Sequence, residues 1–292
     1  AMPTRPRSEA NRNNATGGTR RAHAIDRLLL YGPAVQHVEH DLDALEHIYR
    51  KLNGRAPVLL REDFCGTAAL ACEWVRRGPR RRAWGVDLHG ATLAWARRRR
   101  LPSLGPAASR LTLLHCDARR VTRPSVDLVM ALNFSYWVFH RRAELLDYFR
   151  AASGSLARGG LLCLDAFGGT DAMQELVESR HVPSSPGPGG ERVPAFRYVW
   201  EQAAFNPVEH SLRCHIHFRM RDGREMRRAF SYDWRMWTLP EIRELLAEAG
   251  FRDSIVYLQD WDDENHEALG SYSPRRRFEN QMSWLAYVVG VK

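Results

Sequence analysis

Residues able to do ligand chemistry recur at the ends of four apolar runs. The first run, Val58-Leu59-Leu60, leads through Arg61-Glu62-Asp63-Phe64 into Cys65-Gly66-Thr67 and on to Ala68-Ala69-Leu70-Ala71-Cys72-Glu73-Trp74-Val75. A Val/Leu-rich run predicts a buried strand, and the Ala/Leu-rich stretch after the glycine predicts a helix. Gly66 lets the backbone approach a ligand, and the helix N-terminus offers unpaired N–H groups. The second run, Arg82 to Asp87, ends in an acid about 20 residues after the glycine, the spacing at which a carboxylate accepts both hydroxyls of an adenosine ribose. The third, Leu111 to Cys116, is followed by Asp117-Ala118, whose carboxylate can accept from an adenine amino group. The fourth, Val126 to Leu132, runs into Asn133-Phe134-Ser135-Tyr136-Trp137. In an open α/β sheet these strand ends share one crevice.

With these residues in place the chain resembles the class I S-adenosylmethionine-dependent methyltransferases. Glu62 and Cys65-Gly66-Thr67 resemble the family's first motif, Asp87 its ribose acid, Asp117-Ala118 its adenine-side motif and Leu132-Asn133 its fourth motif. The resemblance covers roughly Pro57 to Phe167 and resumes near Thr238. Phe64 and Ala68 stand where the family usually has glycines, and the fourth motif lacks the Asn/Asp-Pro-Pro-Tyr form. The resemblance implies S-adenosyl-L-methionine as cofactor, held by Glu62, Cys65, Gly66, Thr67, Asp87, Leu88, Asp117, Ala118, Leu132 and Asn133. It also implies an α/β fold: a Rossmann-like, seven-stranded, mostly parallel sheet with an antiparallel last strand. The alternative reading is a doubly wound domain for another adenosine ligand, or for none.

The elements that must position this chemistry follow from the rest of the chain. Residues 1–24 are polar and without periodicity, which predicts a disordered tail. Residues 25–56 turn helical, with Val35, Val38, Leu42, Leu45 and Ile48 near three-to-four spacing and a break at Gly32-Pro33. This N-terminal helical cap can bring Tyr31 and Gln36 to the crevice. The methyltransferase core then occupies 57–169 and 238–292. Arg141 to Ala157 reads as an amphipathic helix stopped by Arg158-Gly159-Gly160, and Leu161 to Phe167 as the fifth strand. Thr238-Leu239-Pro240-Glu241 is a capping box, Ser254 to Gln259 and Trp284 to Val291 are the last two strands, and Asp260 to Ser283 is a long polar loop able to bring Tyr272 to the site.

Between the two parts of the core, residues 170–237 form a small antiparallel β insertion, expected to act as an acceptor lid. Met173 to Ser179 reads as a short helix and Ser184 to Gly190 as a loop. Three strands follow, with a hairpin at Arg221-Asp222-Gly223-Arg224. The second alternates: Leu212, Cys214, Ile216, Phe218 and Met220 on one face, Arg213, His215, His217, Arg219 and Arg221 on the other.

Composition bounds the function. The formal net charge of +9 invites a nucleic-acid reading, but all but two of the basic residues are arginine and most are spread along the chain, so nucleic acid is an unlikely partner. No run reaches the roughly 18 to 20 apolar residues of a membrane helix. Five scattered cysteines read as buried small hydrophobes in a reducing, cytoplasmic setting, and no spacing points to a metal site.

Methyl transfer needs donor and acceptor aligned about 3 to 3.5 Å apart in a dry site rather than a catalytic triad. The expected catalytic residues are Tyr136, His215 and His217, with His140 and Asp233 as further candidate bases. The expected substrate wall is Tyr31, Tyr136, Trp137, Trp200, His215 and His217. For the histidines, a solvent-facing polar stripe is the competing reading. The leading expectation is a methyltransferase with a small-molecule acceptor; the alternatives are an RNA or protein methyltransferase, or a non-enzymatic binding protein of the same fold.

Overall fold

The computed structural model describes residues 26–262 and 267–292; the tail expected over 1–24 lies outside them. Helix α1 (Arg27–Val35) starts at Asp26, whose carboxylate accepts from the Leu28 N–H. It runs through Gly32-Pro33 and stops only at Gln36, contrary to the expected break. Pro33 lies close to the C-terminal end, so the single bond it cannot donate is lost where the helix is ending anyway. Helix α2 (Val38–Asn53) carries Glu39 and Asp41 in its first turn and Arg50 and Lys51 in its last, matching the dipole, and stops at left-handed Gly54.

The alternating core then follows: β1 (Leu59–Asp63), α3 (Ala69–Arg76), β2 (Arg82–Asp87), α4 (Gly90–Arg99), β3 (Leu111–His115), β4 (Val126–Ala131), α5 (Arg142–Ser155) and β5 (Leu156–Gly168). Strand β5 begins earlier than the glycines suggested. Gly159 and Gly160 lie within it, bonding through their backbones to Lys292 at the chain's far end.

The insertion holds β6 (Leu176–Val182), the short β7 (Ser185–Pro186) and β8 (Arg192–Val193), then β9 (Phe196–Asn206), β10 (Ser211–Met220) and β11 (Glu225–Arg235). The expected helix near Met173 is a single 3₁₀ turn. Most of the rest of that stretch is β6, recruited as an edge strand because β9 offers it a free row of backbone groups. The chain closes with α6 (Leu239–Glu248), β12 (Asp253–Asp262), β13 (Glu267–Pro274) and β14 (Trp284–Val291).

The main sheet has the order β13-β12-β14-β5-β4-β1-β2-β3. Strands β1 to β5 are parallel, and β14 lies antiparallel between β5 and β12. The seven expected strands are thus present. Strand β13 makes an eighth, formed from part of the expected 260–283 loop, and pairs with the free edge of β12. Strands β6, β9, β10 and β11 form a second, antiparallel sheet.

Two apolar clusters fill the faces of the main sheet. On one, α2 and α3 pack through Leu42, Leu45, Tyr49, Leu70 and Trp74; on the other, α5 and α6 pack through Leu145, Phe149, Ile242 and Leu246. A third cluster joins Leu30 and Ala34 of α1 to Ile216, Phe218 and Phe196 of the second sheet. The N-terminal helices therefore divide: α2 belongs to the core, while α1 packs on the insertion.

Strand β1 is buried and yet charged. The Arg61 guanidinium donates to Val121 O at 2.6 Å, Ser155 Oγ at 2.7 Å and Asp63 Oδ2 at 2.8 Å, and Tyr148 donates its hydroxyl to the same oxygen at 2.9 Å. Breaking a buried pair from one side leaves a charge uncompensated, at a cost of about 3–5 kcal/mol. Asp63→Ala should lose stability of that order in urea denaturation, whereas the double change Arg61→Met/Asp63→Leu should lose markedly less.

Candidate active site

The turn after β1 has three left-handed residues at alternate positions: Phe64 (φ 55°), Gly66 (φ 52°) and Ala68 (φ 54°). These are the positions at which the resemblance leads one to expect three glycines, so the backbone path survives the two substitutions. Left-handed backbone costs a residue with a Cβ roughly 1–2 kcal/mol. Phe64 offsets this by setting its ring edge-on to Tyr148 and Phe139, 5.4 and 5.9 Å between centroids, and Ala68 is fully buried at the head of α3. Gly66 lines an open cavity, and a Cβ placed on it would meet no protein atom within 4 Å. A larger side chain there would extend into the ligand's space.

Strand-end acids hold this turn. Asp87 accepts from Gly66 N and His89 N, each at 2.7 Å. Its carboxylate is thereby oriented at the crevice, with lone pairs left for a diol. Glu62 is buried and accepts from Ala71 N at 2.8 Å; burial pushes its carboxyl up to about 8. Thr67 receives a bond from Arg100 at 3.3 Å.

At the other end of the crevice β4 runs out into Asn133 and Phe134, both left-handed (φ 57° and 55°). Both amides donate to Asp165, at 2.7 and 2.8 Å. Asp165, at the end of β5, is buried, and burial pushes its carboxyl up to about 7. Between these ends lies a cavity of about 530 Å³. The core contributes Glu62, Cys65, Gly66, Thr67, Asp87, Leu88, Leu132 and Asn133; α1, the turn after it and α2 contribute Arg27, Tyr31, Gln36 and Asp41; β11 contributes Phe230, Tyr232, Asp233 and Trp234.

Most of the expected cofactor residues thus meet in one place, but several other expectations need correction. Asp117 does not line the cavity: Arg119 binds its carboxylate through both backbone and guanidinium, and Ala118 is buried beside it. Tyr136 and Trp137 are fully buried. The two left-handed residues before them turn the chain into a 3₁₀ turn that drives both rings into the core, where Tyr136 donates to Asp165 O at 2.8 Å and Trp137 packs on Phe167. Neither can be an acceptor floor or a catalytic group. Trp200 does not line the cavity; it stands behind the lining pair Tyr232 and Trp234.

His215 and His217 are buried, neither solvated nor facing the cavity. His215 bonds Ser231 Oγ at 2.8 Å. His217 accepts from the Arg228 amide and meets Glu201 at 2.7 Å. The pairing of β10 with β11 shifts register here, and Arg228 is left-handed. His217 therefore satisfies an N–H that the irregularity frees. Both histidines hold the second sheet together. Of the other candidate bases, Asp233 lines the cavity and His140 bonds its backbone carbonyl.

Sequence reasoning missed Asp41 and Asp165; of the insertion's aromatics Trp200, Tyr232, Trp234 and Trp237, which the sequence offered for a wall, Tyr232 and Trp234 line the cavity. The one available signal was Asp165 itself, a lone acid in the apolar run Leu161 to Phe167. Tyr31 and Gln36 do reach the cavity, and Tyr272 stands behind it, 4.6 Å from Tyr287. Among the described residues no group of His, Cys, Asp or Glu is arranged to hold a metal, and no helix is long and apolar enough to cross a membrane.

Comparison with known proteins agrees with this geometry. Residues 63–164 match the family described as a methyltransferase domain. No curated protein sequence matches the chain. Among solved structures, DesVI of Streptomyces venezuelae is similar at a TM-score of 0.64 and 16% identity, covering 92% of this chain and 99% of that one. CalS10 of Micromonospora echinaspora, described as an amino pentose methyltransferase bound to S-adenosylmethionine, gives 0.62 and 18% over 89% and 94%. KedS8 of a Streptoalloteichus species, described as a sugar N-methyltransferase, gives 0.60 and 19% over 99% and 98%. The fold is that of the class I S-adenosylmethionine-dependent methyltransferases, and residues 63–164 carry a methyltransferase domain.

Glu62 gives this site a pH signature. Its folded value of about 8 lies above the ordinary 4.5, so the folded chain retains a proton that the unfolded chain releases. The stabilisation is complete below the unfolded value and is lost as pH rises towards the folded one. Cofactor-free protein should therefore lose thermal stability between about pH 4.5 and 8. Glu62→Gln should flatten that decline, as read from melting temperatures across the range.

Proposed function

We propose that this enzyme transfers the methyl group of S-adenosylmethionine to a small-molecule nucleophile bound between the strand ends, α1 and the second sheet. The observation that carries this reading is the cavity: about 530 Å³, running from the Gly66 turn to Asn133 and walled on its far side by α1 and β11. Such a volume suits a small ligand rather than a folded macromolecule. The descriptions of two similar structures, an amino pentose methyltransferase and a sugar N-methyltransferase, point the same way.

The cofactor supplies a methyl carbon already activated by a sulfonium, so the protein's work is placement. Asp87 accepts the ribose hydroxyls, Gly66 clears the path beside them, and Glu62 supports the turn through Ala71. Asn133, fixed by Asp165, marks the methyl-transfer end. Sheet β6-β9-β10-β11 together with α1 acts as the acceptor lid, excluding water and presenting Tyr232 and Trp234 to the acceptor.

Asp87→Ala should weaken cofactor binding by about 1.5–3 kcal/mol, the range for a lost charged hydrogen bond, when titrated calorimetrically into folded protein. Unchanged affinity would remove Asp87 from the site. In contrast, His217→Ala should lower the melting temperature while leaving cofactor affinity within about tenfold, or 1.4 kcal/mol.

A further inference from the structure

Asp41 stands in the first turn of α2, on the cavity wall. Its Oδ1 accepts the hydroxyl hydrogen of Tyr287. Tyr287 is held in turn by Tyr272, whose ring lies 4.6 Å away and whose hydroxyl meets His40 Nε2 at 3.2 Å. Among the described residues no lysine or arginine pairs with Asp41, and no hydrogen bond engages its Oδ2. Burial pushes its carboxyl up, with the Tyr287 bond and the nearby His37 and His40 acting against that shift. On the same cavity's lining, Gln36 Oε1 is buried with no hydrogen-bond partner among the described residues.

Asp87 and Glu62 serve the turn amides, and Asp165, behind the wall, serves Asn133 and Phe134. Asp233 also lines the cavity, but its side chain is largely exposed to water and lies 4.0 Å from His140 Nε2. Arg27, the wall's arginine, donates to Ala229 O and lies over the Phe230 ring at 5.0 Å from its centroid. Set back from water on the wall are two acceptors without donors, Asp41 Oδ2 and Gln36 Oε1. Across the cavity stand Tyr31, Tyr232 and Trp234, the last two stacked at 4.4 Å. A ligand completing this wall must bring donors and positive charge. An ammonium brings both and is also attracted to aromatic faces, whereas an alcohol brings one hydrogen and a carboxylate none.

Resting on the function proposed above, we infer that the methyl acceptor is a primary or secondary amine, bound as its ammonium by Asp41 and Gln36 against the aromatic lid. The nitrogen is nucleophilic only after it loses a proton, and Asp41 takes that proton. The nitrogen lone pair then forms the bond to the methyl carbon as the carbon–sulfur bond breaks, its electron pair remaining on sulfur to give a neutral thioether.

Three probes of one shape test this: benzylamine, benzyl alcohol and benzoate, measured by ligand-observed NMR on full-length protein loaded with S-adenosylhomocysteine. The expected result is binding of benzylamine about tenfold tighter than benzyl alcohol, with benzoate weakest. Asp41→Asn, which keeps the shape and the Tyr287 contact, should erase that preference while leaving S-adenosylhomocysteine affinity unchanged. Equal binding of amine and alcohol, no binding of any probe at millimolar concentration, or an unaltered preference in Asp41→Asn would overturn the inference. So would a tenfold loss of S-adenosylhomocysteine affinity in that variant, since Asp41 would then hold the cofactor's own ammonium. Failure of the unmodified protein to bind S-adenosylhomocysteine would instead overturn the underlying reading of the cavity.

Discussion

Each turn of the site is held by a carboxylate that belongs to a strand end. Asp87 on β2 takes the Gly66 amide from the turn after β1, and Asp165 on β5 takes two amides from the turn after β4. Glu62 reaches from β1 into the first turn of α3. These bonds matter because the turns are strained: Phe64, Ala68, Asn133 and Phe134 all adopt left-handed backbone despite carrying side chains. Each such residue costs on the order of 1–3 kcal/mol. A hydrogen bond contributes about 0.5–1.5 kcal/mol net, and more where the acceptor is charged, so the bonds to these acids are of a size to offset much of the strain. Removing one would expose the strain and leave buried N–H groups without partners. The crevice is therefore a set of interlocked turns on a rigid sheet, which is how a site can hold position without help from a bound ligand.

The same economy of construction explains why the second sheet is stiff where it faces the cavity. Its central strand β10 buries both faces over 214–218. The apolar face meets α1, and on the polar face His215 and His217 are spent on Ser231, Glu201 and an irregular backbone N–H. The stacked Tyr232 and Trp234 are consequently backed by Trp200 and presented as a fixed aromatic surface. An acceptor would meet a preorganised wall rather than a loop that must be ordered on binding.

The parallel core was legible because each of its strands is a short apolar run closed by a turn residue, and because Gly66 and Asp87 stand at a spacing with a physical meaning. What escaped was set by partners far away in the chain. Leu176 to Val182 has exposed, charged side chains and reads as no strand at all; only the free edge of β9 makes it one. Gly159-Gly160 looked like a helix stop because the return of Lys292 to bond them lies more than a hundred residues away. In the site, residue type was a fair guide and direction was not. Tyr136 and Trp137 stand where an acceptor floor was expected, but Asn133 and Phe134 turn them inward. Alternation correctly assigned the two faces of β10, yet it carries no information about whether a polar face meets water, a ligand or its own sheet. Asp41 carries no mark in the sequence that sets it apart from the other acids of its helical stretch, and only the approach of Tyr287 from far along the chain distinguishes it.

Helix α1 has a temporal consequence. Its apolar side chains, Leu30 and Ala34, find their cover on strands that end near residue 235, and the Arg27 guanidinium waits for a carbonyl 202 residues further on. On a ribosome adding about 5–20 residues per second, the helix would emerge roughly 10 to 40 s before its partner exists. A nine-residue helix is too short to persist alone in water over that interval. It must form last, when the second sheet is complete. The cavity wall that carries Tyr31 is then among the final surfaces to be assembled, so a nascent chain can finish its main sheet and the turns at its strand ends before the cavity is closed on that side.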